Sequence, residues 1–261
     1  MPNQTKIWPL LTGTIRYEKT ISTHGRGHGQ WIDAPILAYL IETVHGRILY
    51  DVGCDYRKLA DPALRARHFT PMLPTVEAPC MEPTQRIPHY LERLGLTSSD
   101  IDLVFIGHLH FDHVGGLCDL PGCEVHVHQN ELQAALTGLD SGIFLDELIH
   151  ANQWRVQTDE YELAPGIHAI TTPGHTAGHM SLFIDLPQSR PVILCGDAAD
   201  LNENLADEIA PGCCWQNNVE LALASIRKLK ILADQENARL WPNHDMAFFK
   251  TLPVFPAWHS G

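Results

Sequence analysis

A short histidine-rich stretch, residues 104–116, constrains this chain more than any other part of its sequence. It places three histidines and one aspartate within six positions, after an apolar run and before a Gly-Gly pair. The run is short and rich in β-branched and aromatic residues, as is typical of a buried strand. His108 and His110 lie two positions apart at its end, so their side chains can point the same way. With Asp112 and His113 in the following turn, the set indicates a site for zinc or a similar divalent ion.

The alternative interpretation is that these are ordinary loop histidines. Histidine is abundant here, with 16 in 261 residues, so some clustering by chance is expected. The H-x-H-x-D-H spacing at a predicted strand end nevertheless favours a metal site.

Three later parts of the chain repeat the pattern of a ligand residue just after a predicted strand. His175 follows the strand predicted at residues 167–172, Asp197 follows a buried apolar run, and His244 follows a last short strand. His179 leads into another strand, and we expect it to support the structure. Each signal alone is weak, but four strand ends that each offer a ligand predict one metal centre.

Composition excludes several classes of protein. The formal charge of −13, with no basic stripe to offset it, argues against nucleic acid as a partner. No apolar stretch approaches 18 residues and no signal peptide is visible, so we expect no membrane partner and a cytoplasmic location. The seven cysteines lack C-x-x-C spacing and are expected to be reduced thiols.

The first part of the chain predicts strands and then an irregular excursion. The length suits one domain, which we place over residues 1–261, and the hydrophobic fraction of 44% allows a substantial core. Residues 36–41 and 47–52 predict a β-hairpin, and the glycine-rich residues 24–29 predict a surface loop. The proline-rich residues 56–87 predict at most short helices, in a segment long enough to serve as a functional lid.

Two further segments predict elements of regular structure. Residues 124–128 alternate as a strand does, and we expect His126 and His128 on a partly exposed sheet face rather than in a metal site. Asn130 is the predicted cap of the helix that follows. Residues 218–233 predict an amphipathic helix.

The ligand motifs, taken in chain order, resemble those of the metallo-β-lactamase superfamily. They are H-L-H-F-D-H at residues 108–113, P-G-H-T-x-G-H at 173–179, G-D-A at 196–198 and P-x-H-D at 242–245. Within the superfamily the sequence is most similar to the N-acyl homoserine lactone lactonases, also through residues 34–41 and 220–229. The resemblance implies an α/β fold of the αββα sandwich type, in which two mixed β-sheets are flanked by helices and metals lie at one edge.

The resemblance also implies a ligand set and a reaction. Two divalent ions are implied, with zinc expected: one bound by His108, His110 and His175, a second by Asp112, His113 and His244, and both bridged by Asp197. A metal-bridging hydroxide would attack the carbonyl of a lactone, an N-acyl homoserine lactone first among candidates. Asp112 would act as the catalytic acid that passes a proton to the leaving oxygen.

One position departs from the pattern of the resembled lactonases. Many of them carry a tyrosine three positions after the bridging aspartate, where it hydrogen-bonds the substrate, but this chain has Asp200. An ionised carboxylate cannot donate that bond, so another donor or another substrate is implied. Residues expected to receive an acyl chain are Phe69 and Met72, with Leu73 and Met81, although these could equally pack a short helix onto the core.

Other activities stay open at this stage. One is a different two-metal hydrolase of the superfamily, such as a glyoxalase II-like thioesterase, another lactonase or carboxylic ester hydrolase, a β-lactamase or an RNA phosphodiesterase. The acidic charge argues against RNA, and Asp197 argues against the β-lactamases that place cysteine there. A di-iron sensor of the flavin-fused kind is disfavoured, because no flavin-binding segment is seen. The acyl-chain preference, the native metal and the oligomeric state are left open, with a homodimer among the alternatives.

Overall fold

The chain folds into four layers, with helices on the outer faces of two packed sheets. The computed structural model describes residues 5–72, 74–151 and 153–260. Within them the strands are β1 (Lys6–Glu18), β2 (Trp31–Thr43), β3 (Gly46–Tyr50), β4 (Leu103–Phe105), β5 (Glu124–His128), β6 (Gln153–Gln157), β7 (Tyr161–Ala164), β8 (Ile167–Thr171), β9 (Met180–Ile184), β10 (Val192–Leu194), β11 (Arg239–Trp241) and β12 (His259–Ser260). The helices are α1 (Tyr56–Ala60), α2 (Pro62–Phe69), α3 (Ile87–Arg93), α4 (Phe111–Val114), α5 (Gln129–Ala135), α6 (Leu145–Leu148), α7 (Asn202–Asp207), α8 (Val219–Gln235) and α9 (Met246–Phe249).

Both sheets are mixed. The first has the order β12-β1-β2-β3-β4-β5-β6 and is parallel from β3 onward, whereas the second has the order β11-β10-β9-β8-β7. Their inner faces share one apolar core that includes Tyr39, Tyr50, Phe105 and Leu182. A second core lies under α3 and α5, and a third lies under α8. The αββα sandwich expected from the sequence is therefore confirmed.

Several local predictions are confirmed with shifted ends. The hairpin pairs β2 with β3 at Thr43 and Gly46, and Gly46 takes a positive φ of 138° that favours glycine at this turn. The helix predicted at residues 218–233 is α8, and the side chain of Asn218 accepts a hydrogen bond from Leu221 N at 3.1 Å as its cap. The buried residues of α8, Leu229 among them, face the second sheet.

The predicted exposure of the β5 histidines is wrong. His126 is 8% exposed and His128 is 7% exposed, because β5 is an interior strand and Tyr161 stacks on the ring of His126. His128, not Asn130, caps α5: its side chain accepts a hydrogen bond from the backbone N of Asn130. Local alternation identified the strand but carried no information about what covers it.

The proline-rich segment contains short helices, as predicted, and then pairs with the first sheet. After α1 and α2, the backbone of residues 75–80 lies along β1, with bridges between Thr14 and Cys80 and between Tyr17 and Val76. This pairing fixes the segment as a wall beside the end of the sandwich. Among the described residues, no helix combines the length and the hydropathy that crossing a membrane requires.

The topology brings the predicted ligand positions to one edge of the sandwich. In the second sheet β10 and β11 are parallel, and β8 runs in the same direction because both β8 and β10 are antiparallel to β9. The carboxyl end of β4 in the first sheet meets this edge, where Met180 N donates to Gly107 O at 2.9 Å. The loops that follow β4, β8, β10 and β11 therefore face one another.

Candidate metal centre

Seven side chains meet at this edge, and they are the seven singled out in the sequence. They form two groups whose potential ligand atoms lie within 4.8 Å of one another: His108, His110, His175 and Asp197 in one, and Asp112, His113 and His244 in the other. Asp197 lies between the groups, because its Oδ2 is 3.5 Å from His175 Nε2 and 3.2 Å from His244 Nε2. The structure thus groups the residues as the resemblance implies.

The H-x-H-x-D-H segment reaches this geometry by changing from extended chain to one helical turn. His110 keeps extended dihedral angles (φ −67°, ψ 150°), and α4 begins directly after it, so Asp112 and His113 turn back toward the strand end. The Gly-Gly pair packs against the residues after β3. A Cβ on Gly116 would lie 2.1 Å from the carbonyl oxygen of Val52, so only glycine fits.

Two of the histidines are oriented by carboxylates outside the cluster. His113 Nδ1 bonds Asp51 Oδ2 at 2.7 Å, and His110 Nε2 bonds Asp140 Oδ2 at 3.0 Å. Each bond fixes a ring and leaves its other nitrogen facing the cluster, as outer partners of metal-binding histidines do. Asp51 also accepts from Gly107 N at 2.9 Å and holds a left-handed backbone conformation (φ 56°), which is strained for a residue other than glycine.

Two more histidines are oriented by backbone carbonyl groups. His175 Nδ1 bonds Cys213 O at 3.2 Å, and His244 Nδ1 bonds Pro35 O at 2.8 Å. Their Nε2 atoms face the cluster, where that of His175 lies 3.1 Å from Nδ1 of His110. Four imidazoles therefore each have one nitrogen held from outside and one directed inward.

His108 gives the clearest indication that the cluster suits metal ions. Its side chain is fully buried, and neither ring nitrogen has a hydrogen-bond partner among the described residues. His113 Nε2 is likewise buried and unpartnered there. Buried polar atoms normally have partners, so inward-facing nitrogens beside carboxylates fit two divalent ions with nitrogen and oxygen ligands.

His179 has the supporting role expected from the sequence. Its Nε2 accepts from the backbone N of Asp197 at 2.9 Å, and its Nδ1 bonds the hydroxyl of Thr172 at 2.8 Å. Asn243 donates to Asp197 Oδ1 at 2.9 Å from the other side. Both ring nitrogens of His179 are therefore occupied, and Asp197 is held in place from two directions.

Three supporting carboxylates were missed in the sequence: Asp51, Glu131 and Asp140. Glu131 is fully buried and accepts from Leu109 N at 3.1 Å and Gly178 N at 2.6 Å, which ties together the two loops that carry ligands. Asp51 follows β3 directly, so the strand-end pattern could have identified it. Glu131 lies in α5 and Asp140 in a loop, where no local pattern distinguishes them.

The electrostatics of the cluster favour bound cations. Burial lowers the pKa of His244, but Asp197 and then the other nearby carboxylates outweigh it and raise that pKa to about 10. Burial raises the pKa of Asp197, but His113, His244 and His108 outweigh it and hold it well below the usual range. The carboxylate of Asp197 thus attracts positive charge, and a divalent ion would compete with protons for the histidine nitrogens around it.

Asp200 belongs to the same region. It is 3% exposed, and its carboxyl lies within the cluster formed with Asp197 and His244. Burial and then the charge of Asp197 raise the pKa of Asp200 to about 8.

A cavity of about 760 Å³ opens above the cluster. Its floor contains His110, Asp112, His175, Asp197 and His244. Its walls come from β1, the proline-rich segment and loops near residues 139–142 and 212–217. Apolar side chains on the walls include Ile15, Ile21, Met72 and Val76.

Of the residues predicted to contact an acyl chain, one lines the cavity and others pack behind its wall. Met72 lines the cavity. Phe69 is 4% exposed and lies behind the wall, where its ring packs edge-on against Phe111 and Phe144 at centroid distances of 5.4 and 5.6 Å. Met81 packs against the same apolar cluster. Leu73 lies outside the described residues.

Comparison of the sequence with known proteins identifies a matching family and several relatives. Residues 31–244 match the model of the metallo-beta-lactamase superfamily. The N-acyl homoserine lactonase AiiA of Bacillus thuringiensis subsp. kurstaki is 34% identical over 256 residues, which cover 96% of this chain and 97% of that protein. The N-acyl homoserine lactonase AttM of Rhizobium radiobacter is 26% identical over 265 residues, 97% of this chain and 98% of that protein.

Solved structures extend the likeness to the fold. A crystal structure of a B. thuringiensis AiiA mutant with N-decanoyl-L-homoserine at its active site has a TM-score of 0.87 and 29% identity, covering 97% of this chain and 98% of that one. AidC, a dizinc quorum-quenching lactonase, shares the fold with a TM-score of 0.68 at 19% identity, covering 98% of this chain and 94% of that one. The chain therefore belongs to the metallo-beta-lactamase superfamily and, within it, to the family of N-acyl homoserine lactonases, which makes it a metal-dependent hydrolase.

Proposed function

We propose that this enzyme hydrolyses the ester ring of N-acyl homoserine lactones at a pair of zinc ions. The observation that carries the proposal is the two-group cluster of histidines and aspartates on the floor of a partly apolar cavity. The relatives of this enzyme support the substrate class, because a protein 34% identical over 96% of this chain is an N-acyl homoserine lactonase. A structural relative with 29% identity holds N-decanoyl-L-homoserine, an open-ring product, at its active site.

The ligand assignment follows the two groups. One ion would be held by His108, His110 and His175, the second by Asp112, His113 and His244, and Asp197 would contact both. Nitrogen and carboxylate ligands in this proportion suit zinc, which tolerates the low coordination numbers that leave positions for water and substrate. When bound, the two ions supply Lewis acidity that activates water and polarises a carbonyl group.

The side chain of Asp112 is suited to move the proton. Its Oδ2 lies 3.7 Å from Nε2 of both His113 and His244, and the residue also lines the cavity. In the proposed reaction water adds to the lactone carbonyl carbon and the acyl C–O bond breaks. The proton lost by water passes through Asp112 to the ring oxygen, which leaves as the hydroxyl of the open product. Atoms balance, because one lactone and one water give one hydroxy acid.

The apolar wall is suited to the acyl chain. Ile15, Ile21, Met72 and Val76 share one cavity with the floor residues, so a substrate with its ester at the floor can place an apolar chain against them. Burial of each methylene contributes about 0.8 kcal/mol, so longer chains should bind more tightly until the wall ends.

The test is to purify the enzyme, measure its bound metals and screen its substrates. We expect about two zinc ions per chain. We expect proton release with N-acyl homoserine lactones over a series of acyl lengths, and weaker turnover of an unsubstituted lactone. Loss of activity on chelation and its return with zinc would tie turnover to the metals. Inert lactones beside an active thioester, β-lactam or phosphodiester would refute the proposed substrate class, and active enzyme without metal would refute the centre.

A further inference from the structure

We infer that Tyr17 is a catalytic residue of this enzyme, whose phenol donates a hydrogen bond to the carbonyl oxygen of the lactone as negative charge develops there. The inference rests on the proposed function and assigns the donor that the floor of the cavity lacks. Its basis is the position of one buried hydroxyl group on β1.

Ester hydrolysis requires hydrogen-bond donors or cations directed at the carbonyl oxygen, because charge accumulates on that atom in the transition state. The floor of the cavity offers mainly carboxylates and histidines with nitrogens directed at the cluster. Neutral donors must therefore come from the walls. Those in the described lining are few: Tyr17, Thr75, Ser141, Trp215, Gln216 and Asn217.

Tyr17 stands out among these donors by its burial and its neighbours. It is 4% exposed, and it lines the cavity together with Asp112, Asp197 and Asp200. Burial, and then the charges of these three carboxyl groups, raise the pKa of Tyr17 well above its usual value. The phenol therefore keeps its proton and remains a donor across the working pH range.

The ring of Tyr17 is held rigidly, as transition-state stabilisation requires. It packs in an apolar cluster with Ile15 and Ile36, and its backbone bridges Val76 of the proline-rich segment. Its hydroxyl lies 2.7 Å from that of Ser22, which is fully buried. Only the phenol of this pair lines the cavity, so Ser22 supports it from behind.

The hydrogen bond between Tyr17 and Ser22 leaves a proton for the substrate. Either hydroxyl can be the donor. When Ser22 donates to the phenol oxygen, the phenol proton is free to point into the cavity. Tyr17 and Asp200 line the same cavity, and Ser22 lies behind the phenol.

The decisive variant is Tyr17→Phe, which removes the hydroxyl and keeps the ring. With an N-acyl homoserine lactone we expect kcat/KM to fall roughly 10- to 1000-fold, as on removal of one oxyanion donor, mainly through kcat. Metal content and melting temperature should stay near those of the wild type. Tyr90→Phe is the matched control, because the Tyr90 hydroxyl bonds Leu11 O at 2.7 Å and does not line this cavity.

Two further variants separate a catalytic role from a structural one. Ser22→Ala removes the support but leaves the phenol, so it should cost less than Tyr17→Phe. The double variant Tyr17→Phe/Asp200→Tyr restores a phenol to the same region and should recover part of kcat. Failure of this rescue together with a lowered melting temperature in Tyr17→Phe would assign Tyr17 a packing role only.

The outcomes distinguish this inference from the proposed function. Wild-type enzyme that opens no lactone would refute the proposed function itself. Active wild type with an unchanged kcat/KM in Tyr17→Phe would overturn the inference alone. A loss of kcat in Tyr17→Phe with both metals retained would support it.

Discussion

The floor and the walls of the cavity are built in different ways. On the floor, four histidines each have one ring nitrogen bonded to an outer partner at 3.2 Å or less. Asp197 is held by two hydrogen bonds: its backbone N donates to His179, and its side chain accepts from Asn243. The walls consist of short helices and turns, in which Gln216 and Asn217 take left-handed backbone conformations. The walls carry both apolar side chains, such as Ile15 and Val76, and polar ones, such as Gln216 and Asn217.

This difference predicts that catalysis depends mainly on the floor and that substrate selectivity depends mainly on the walls. A floor residue cannot move without losing a ligand position, whereas a wall residue can be exchanged at the cost of some contact area. Changes on the floor should therefore act on metal binding and kcat, and changes to apolar wall residues on KM and chain-length preference, with Tyr17 as the wall residue expected to act on kcat.

His175→Ala should have the largest effect. It removes an inward-facing nitrogen from the first group, and the carbonyl oxygen of Cys213 loses its donor. We expect at least one ion to be lost and lactone hydrolysis to fall below detection. Elemental analysis and turnover measured on the same sample provide the check. Full metal content with normal turnover would show that His175 is not a ligand.

Asp112→Asn should leave metals in place and slow the reaction. The amide keeps the shape and one ligating oxygen but cannot carry the proton to the leaving group. We expect kcat to fall on the order of 10²-fold or more. A substrate with a more acidic leaving alcohol should lose less, because it depends less on proton donation. Near-normal turnover with both ions bound would remove Asp112 from the proton path.

Asp51→Asn tests whether the hydrogen bond between Asp51 and His113 contributes to metal affinity. The amide oxygen can still accept from Gly107 N, but an amide NH₂ then faces His113 Nδ1 in place of an acceptor. We expect metal affinity to fall about 10- to 100-fold, as for other outer partners of metal-binding histidines. Competition with a chelator measures this, with the exposed Asp159→Asn as the control. Unchanged affinity would mean that the ring of His113 is held by packing alone.

Met72→Ala tests the wall. Because Met72 lines the cavity, we expect KM to rise roughly 3- to 10-fold for the longest acyl chains and little for the shortest, with kcat retained. Phe69→Leu is the matched contrast, since Phe69 lies behind the wall among Phe111 and Phe144. That variant should lower the melting temperature more than it changes KM. A uniform KM change over all chain lengths would contradict the assignment of Met72 to the acyl chain.

Glu147→Gln should have the smallest effect, visible only in stability against pH. Glu147 lies in α6, and its Oε1 is 3.1 Å from Nζ of Lys58. Burial raises the pKa of Glu147 to about 8, although the charge of Lys58 lowers it in part. A carboxyl with a raised folded-state pKa contributes stability at low pH and loses it as pH rises from about 4.5 to about 8. The variant should therefore gain melting temperature relative to wild type between pH 5 and pH 9, by a few degrees at most. A constant difference over this range would show that Glu147 does not titrate there.

The sequence alone identified the residues of the cluster and the order of the elements that carry them. Side chains alternate along extended chain, and a strand end next to a turn concentrates polar groups, so His108, His110, Asp112 and His113 could be predicted from spacing alone. The resemblance of the motifs then implied the fold and how the ligands would divide between two ions. These features could be predicted because they are local, or because several local motifs occur in a fixed order.

The tertiary structure decided which groups surround that set. Asp51 and His113 are 62 positions apart, and Tyr17 lies in the first sheet whereas Asp200 lies in a loop after β10 of the second, so no sequence periodicity relates them. The burial of His126 and His128 and the pKa of Asp200 likewise depend on what the second sheet and the loops place over them. Hydrogen-bond partners and desolvation are set by packing between distant segments. These partners and the extent of desolvation can therefore be assigned only from the tertiary structure, in which the two sheets pack together.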